Sequence, residues 1–435
     1  MDMLRTLIKV FLPCLLIFLP CSGYAQNGAY GAYTPYSIFG IGEIRKEGTA
    51  FNSSMGGVGI ATRNKRFINY LNPASITARD SLSFMADVGL SQKNTIYRQG
   101  DLKSGNNTFN MYDFIISFPI YRSSAFMIGV TPFSDIGYDF TTRVTDPEII
   151  GSTNTVTYSA TGEGSVYQLF AGGAATFWKK FSVGAEVIYY FGTLDKSFNQ
   201  NFSDASYNSI SSTNSLLIRS TTAKFGVQYE QRIGEDMSMV FGATYRLKSG
   251  LRGSSENRET LGSASDTLSY TYSNNSGINI ADELGVGLSF RKGDKWSVEL
   301  NYLRSGWNAS GMDSAPGFAV KSDVDFSTTA TNSIRAGFEI VPNRNDIRYY
   351  GKRITYRAGA YYDQSYYKLD GNRVDSFGVT LGASLPINRL YNGITVGVDI
   401  GQKGSLKHSM VRERYVMFVI GFNIHDLWFH KPKYE

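Results

Sequence analysis

Apolar residues alternate with small or polar ones over most of this chain. Phe377, Val379, Leu381, Ala383, Leu385 and Ile387 interleave with Ser376, Gly378, Thr380, Gly382 and Ser384. A period of two sends the two sets to opposite faces of one strand. The pattern returns where Ile394, Val396, Val398 and Ile400 alternate with Thr395, Gly397, Asp399 and Gly401, and again in Val416, Phe418, Ile420, Phe422 and Ile424. From Leu82 onward it predicts about fourteen strands, over 82–96, 108–121, 125–140, 156–178, 181–194, 216–231, 237–247, 280–290, 296–307, 326–340, 354–366, 374–387, 394–402 and 412–424. One strand per about 25 residues is too sparse for a sandwich and suits long tilted strands joined by unequal loops.

The connections come in two kinds. Tyr121 to Ser124, Lys179-Lys180, Gly293-Asp294-Lys295 and Asn388-Arg389-Leu390 are tight, whereas Asp195 to Thr213 and Lys248 to Gly277 are long and rich in Ser, Asn and Gly. Short periplasmic turns alternating with long extracellular loops are what an outer-membrane barrel requires. If the aliphatic set faces lipid, then Asp87, Asp113, Glu186, Lys224, Glu299, Arg335, Glu339, Arg357 and Asp399 face the lumen. Aromatics expected near the strand ends, at the membrane interfaces, are Tyr189, Phe191, Tyr245, Trp296, Tyr302, Tyr361, Tyr362 and Trp428.

Composition agrees with strands. Of 435 residues 45 are Gly and 14% are aromatic, which penalises helices and favours strands. Past the N-terminus no apolar run approaches twenty residues, and mean hydropathy is −0.20, which excludes a bundle of membrane helices. Hydrophobic content of 42% excludes a disordered chain. The net charge of +6 is small, and its Lys and Arg are scattered, so nucleic acid is not an expected partner.

Residues 1–25 read as a cleaved export signal. Arg5 and Lys9 precede an apolar run from Val10 to Leu19, and Gly23-Tyr24-Ala25 supplies the small residues before a cut at Gln26. Ten apolar residues are half of what a spanning helix needs. Both cysteines, Cys14 and Cys21, fall in this segment, so the mature chain has no cysteine chemistry. A lipoprotein reading of Cys21 ranks below plain cleavage because Pro20 replaces the small residue expected there.

Residues 26–80 do not alternate. They carry Thr34-Pro35-Tyr36-Ser37, Gly40, Gly42, Met55-Gly56-Gly57-Val58-Gly59 and Asn72-Pro73-Ala74-Ser75. The lumen of a fourteen-strand barrel is wide enough to hold such a segment as a plug. A Gly-rich stretch ending in Asn72-Pro73-Ala74, followed by a long alternating region, resembles the FadL-type outer-membrane transporters of long-chain fatty acids and other hydrophobic compounds. The resemblance implies an N-terminal hatch inside the barrel, with the Asn72-Pro73-Ala74-Ser75 turn as its gate. The stretch Thr131-Pro132-Phe133 followed by Asp135-Ile136-Gly137-Tyr138 resembles the family's third strand, where broken pairing opens a lateral path. For Pro132, Phe133, Asp135 and Gly137 either that role or an ordinary strand bend fits.

The expected fold is therefore all-β: a single-chain transmembrane antiparallel β-barrel of about 14 strands over 81–435, with a plug from 26–80 in its lumen. Catalysis has little support. The histidines are His408, His425 and His430; His408 and Ser409, read as strand neighbours, would face opposite sides, and His425 and His430 read as a solvated tail. Met55 to Gly59 lacks the strand and helix that make a glycine cluster a nucleotide site. No metal-ligand spacing is present, and no cofactor is expected.

Two functions fit. The leading one is transport of fatty-acid-like hydrophobic small molecules across the Gram-negative outer membrane, with membrane lipids, lipopolysaccharide and the ligand as partners. The rival is a non-transporting accessory barrel that binds outer-membrane protein or lipoprotein partners in a protein-export or barrel-assembly complex. Long polar loops and lumenal charges favour the rival.

Overall fold

A computed structural model describes residues 32–80, 82–121, 123–146, 155–204, 206–262, 266–313, 324–387 and 393–427. The proposed signal with Cys14 and Cys21, the interface residue Trp428, the tail residue His430 and the turn 388–390 lie outside the described residues.

Fourteen antiparallel strands form a closed ring. They are β1 (Ser83–Gln99), β2 (Leu102–Tyr121), β3 (Ser124–Val144), β4 (Val156–Phe177), β5 (Phe181–Phe202), β6 (Ile210–Ile233), β7 (Met237–Arg246), β8 (Glu283–Lys292), β9 (Trp296–Ser305), β10 (Thr331–Ile340), β11 (Thr355–Leu369), β12 (Asn372–Pro386), β13 (Gly393–Lys403) and β14 (Arg412–Leu427). Each pairs with the next, and β14 closes on β1 with Gly421 opposite Gly89 and Asn423 opposite Asp87. Every strand therefore has a neighbour on each side, as a sheet that crosses lipid requires, although the β2–β3 ladder covers only part of the length of those two strands.

The two faces separate as the alternation predicts. Phe377, Val379 and Leu381 on β12 are more than half exposed, while Gly378 and Thr380 between them are buried. Asp87, Asp113, Glu186, Lys224, Glu299, Arg335, Arg357 and Asp399 are all buried on the inner side, and Glu339 is paired there with Arg357 at 2.7 Å. An apolar outer belt around a charged interior is the inverse of a soluble barrel.

Several expectations are corrected. Segments 195–213 and 248–277 are not loops: β5 and β6 run far above the belt, and Ser249–Leu261 with Asp266–Ile280 forms a hairpin whose first strand pairs with the upper half of β6. Ladder hydrogen bonds and hydroxyl-rich faces let these polar stretches extend the sheet into water. The long-loop rim also holds tight turns, at 100–101 and 370–371. Trp307 leaves its strand for a buried 3-10 turn, and 326–340 breaks into Phe326–Thr328 and β10. Tyr361 faces inward and hydrogen-bonds Asp399 at 2.7 Å, so only its neighbour Tyr362 faces outward. His425 is a buried residue of β14, and Lys407–Ser409 is a 3-10 turn rather than a strand, which removes the parity argument for His408 and Ser409.

Residues 32–80 fill the interior without a strand longer than two residues. Their regular pieces are Pro35–Ile38, Glu43–Ile44, Ala50–Ser53 and Pro73–Thr77. A Cβ added to Gly184 on β5, Gly242 on β7, Gly337 on β10 or Gly421 on β14 would collide with Ala74, Ile60, Met55 or Ala50 respectively. Only a segment inside the ring touches walls that far apart. The wall glycines are thus the clearance that lets a backbone lie directly on the sheet.

Candidate functional site

The site grows from five residues, Glu43-Ile44-Arg45-Lys46-Glu47. Glu43 pairs with Lys93 on β1 and Lys403 on β13, both at 3.5 Å. Arg45 pairs with Asp135 on β3. Lys46 lies 3.7 Å from Asp363 on β11 and 3.6 Å from Asp399 on β13, with its ammonium over the Tyr361 ring. Glu47 reaches Lys224 on β6 at 3.2 Å and Arg246 on β7 at 3.0 Å. Four charged side chains of one short segment thereby hold seven wall residues on six strands.

Electrostatics follow from this enclosure. Burial alone would raise the Glu47 carboxyl, but Lys224 and Arg246 outweigh it and hold its pKa at about 2. For Glu43 burial is likewise overcome, by Lys403, Lys93 and Arg45, again to about 2. The second ring of partners is also charged, with Glu186 3.8 Å from Lys224 and Glu283 3.4 Å from Arg246.

These groups line a cavity of about 260 Å³ between plug and wall. Its lining includes seven basic residues and five carboxylates. Phe133, Ile44, Ile60, Leu71 and Trp307 supply part of its apolar surface. Lower in the plug, Glu299 accepts from Ala61 N at 2.8 Å and from the Thr62 hydroxyl, and Arg63 pairs with Glu230 at 3.2 Å.

The Asn72 to Ser75 turn sits elsewhere. The Asn72 side chain caps the Pro73–Thr77 turn by accepting from Ala74 N at 3.0 Å, and it donates to Ile60 O at 2.8 Å and to Val227 O on β6 at 3.2 Å. Ser75 donates to Asn69 O at 2.6 Å. Pro73 opens the turn, where its missing N–H costs nothing. All four residues are buried against the wall, and none lines the cavity.

Pro132, Phe133, Asp135 and Gly137 come together at a break in the sheet. The β2–β3 ladder runs from Tyr121↔Ser124 only as far as Phe114↔Val130. Beyond it β3 pairs with β4 alone on the ring, through a register shift between Pro132 and Ser134, where Pro132 has no N–H to give. The edge that β3 turns away from β2 is taken by the plug. Glu43 pairs opposite Asp135 and Ile44 opposite Ser134, Arg45 N donates to Phe133 O at 2.8 Å, and Thr34 N donates to Gly137 O at 2.8 Å. A second bulge, at Tyr112 on β2, turns two consecutive residues inward and brings the Tyr112 hydroxyl to Ser53. Sequence reading missed residues 43–47, although four charges in five positions inside a Gly-rich segment are a visible signal.

Solved structures share this architecture. The chain is similar to the Ralstonia pickettii toluene transporter TbuX, with 15% identity over 87% of this chain and 98% of that one and a TM-score of 0.57. It is similar to the CymD monoaromatic hydrocarbon channel, with 16% identity, 88% and 98% coverage and a TM-score of 0.58. It is also similar to a Pseudomonas aeruginosa FadL homologue, with 13% identity, 88% and 99% coverage and a TM-score of 0.56. At these identities the likeness is one of fold, which is the FadL-type barrel that the resemblance implied. No curated protein matches the sequence. The model of the family described as BamG matches residues 7–435, nearly the whole sequence, and the chain belongs to the BamG family.

Proposed function

We propose that this outer-membrane barrel is a plugged accessory subunit of a barrel-assembly or protein-export complex, binding protein partners through its rims rather than conducting a solute. The observation that carries this reading is the anchoring of Glu43, Arg45, Lys46 and Glu47 to six wall strands. Shifting such a plug would strip several buried charges of their partners at once, at a cost of several kcal/mol for each. An apolar ligand entering the cavity would displace water from charged groups without replacing its hydrogen bonds. Membership of the BamG family supports the same reading. In it residues 1–25 are the export signal, 26–80 the plug and 81–435 the barrel, and Asn72 to Ser75 fasten the plug to the wall.

The test is purification of the tagged protein from its native outer membrane in mild detergent. Stoichiometric barrel or lipoprotein partners are expected. A lone barrel carrying bound lipid would overturn the reading.

A second reading, a channel for hydrophobic small molecules, is favoured by the unpaired stretch between the upper halves of β2 and β3. There Pro132, Phe133, Asp135 and Gly137 would frame a lateral exit, and the Asn72 to Ser75 turn would move with the hatch. The neighbours described as transporters or channels of toluene and monoaromatic hydrocarbons share the barrel architecture. Under this reading the pure protein reconstituted in vesicles lets such compounds through, and an Asn72→Ala variant changes the rate.

A further inference from the structure

The rim that carries the short turns, which in outer-membrane barrels faces the periplasm, has one connection unlike the rest. Between β10 and β11 the chain runs through residues 341–354, whereas β6–β7 and β8–β9 are joined by three residues each. This loop is firmly built. Val341 N donates to Lys295 O at 2.7 Å, Asn343 N to Lys352 O at 2.9 Å, and the Tyr350 hydroxyl to Pro386 O at 3.0 Å. At its tip the Asp346 carboxylate accepts from Arg348 N at 2.9 Å and Tyr349 N at 2.7 Å and pairs with Lys352 at 3.5 Å. The tip presents Ile347, 98% exposed, beside a half-exposed Tyr349.

Such an arrangement is pre-organised for recognition. Backbone bonds fix the position of Ile347, so little conformational entropy remains to be lost when it is buried. Around it the loop carries Arg344, Arg348, Lys352 and Arg353 against the single acid Asp346, and the adjoining turn adds Lys292 and Lys295 against Asp294. An apolar knob in a basic surround calls for an apolar pocket bordered by carboxylates. A lipid surface fits less well, because a single isoleucine buries little apolar area and Asp346 would be drawn down beside it.

We propose that loop 341–354 is the periplasmic docking element of this barrel, with Ile347 seated in an apolar pocket of an acidic protein domain. This rests on the accessory-subunit reading and names the chemistry of its partner. The test places a photoreactive residue at position 347, or at Lys179 on a different part of the same rim, in the full-length protein in its native membrane. Irradiation is expected to give a single protein adduct from 347 and none from 179. In parallel purifications, Ile347→Asp and the pair Arg348→Glu with Lys352→Glu are each expected to cut recovery of that partner about tenfold, with the barrel still folded by its heat-shifted gel mobility. Lipid adducts alone from 347, or partner recovery unchanged in both variants while other stoichiometric partners remain, would overturn this inference and leave the accessory reading standing. Absence of any stoichiometric partner from the parent protein would overturn both.

Discussion

Glu47 of the plug lies 3.0 Å from Arg246 and 3.2 Å from Lys224, so one carboxylate bridges neighbouring wall strands at the centre of the barrel. Glu47→Gln removes the charge while keeping the side chain's volume. Arg246 would keep Glu283, and Lys224 would keep Glu186, so the cost falls below that of a fully orphaned buried charge. A loss of about 1–3 kcal/mol is expected in equilibrium unfolding of the detergent-solubilised protein. Unchanged unfolding would remove Glu47 from the anchors of the plug.

The same anchors set an acid limit. Glu43 and Glu47 hold folded pKa values of about 2, below the ordinary glutamate value of 4.5. Depressed carboxyls stabilise the folded state fully above their unfolded pKa, and that contribution fades as pH falls from there through the folded value. Pepsin, active across this range, should therefore leave 43–47 intact near pH 4 and begin to cut there only as pH approaches about 2. Cutting that sets in near pH 4 would show that the two glutamates are not ion-paired in solution.

Clearance matters as much as charge. A side chain at Gly242 would run into the backbone of Ile60, which lies flat on the wall, so Gly242→Val should displace the plug at a cost of about 1–3 kcal/mol. Gly173 on β4 would bring an added Cβ only to ordinary contact with Ala125 O, and Gly173→Ala should leave stability within about 0.5 kcal/mol of the parent. Thermal unfolding of both variants separates the two positions. Equal Tm values would mean that the plug does not rest on Gly242.

Alternation carried the barrel in the sequence because outer and inner faces differ at every second position, as at Phe377 and Gly378. It missed the upper hairpin because the first strand, through Gly253, Ser254, Glu256, Asn257 and Glu259, is polar or small on both faces, and there period two leaves little trace. It placed Tyr361 at an interface because an aromatic on an inner face looks the same in sequence as one on an outer face. The Asn72 turn was visible as a motif, and its cap geometry follows from Asn before Pro. The partners of Glu43, Arg45, Lys46 and Glu47 were not visible, since they lie from 50 to 360 positions away and only closure of the ring brings them together. Likewise Pro132 marked a break in the ladder, but that plug backbone takes up the freed edge depends on where residues 34–45 fold.

That exchange of edges makes a prediction with two parts. On β2, residues 102–111 pair with β1 but have no ladder with β3, whereas β3 residues 134–137 bond to the plug. Amides on the free side of 102–111 should exchange with solvent about tenfold or more faster than those of 114–117, which are laddered on both sides. Residues 134–137 should be protected despite having lost β2. Arg45→Gln, which breaks the pair with Asp135, should strip protection from 134–137 and leave 102–111 as fast as before. Hydrogen exchange read by mass spectrometry resolves both segments. Slow exchange at 102–111 in the parent would mean that the seam closes in the membrane, and with it the lateral exit on which the channel reading depends.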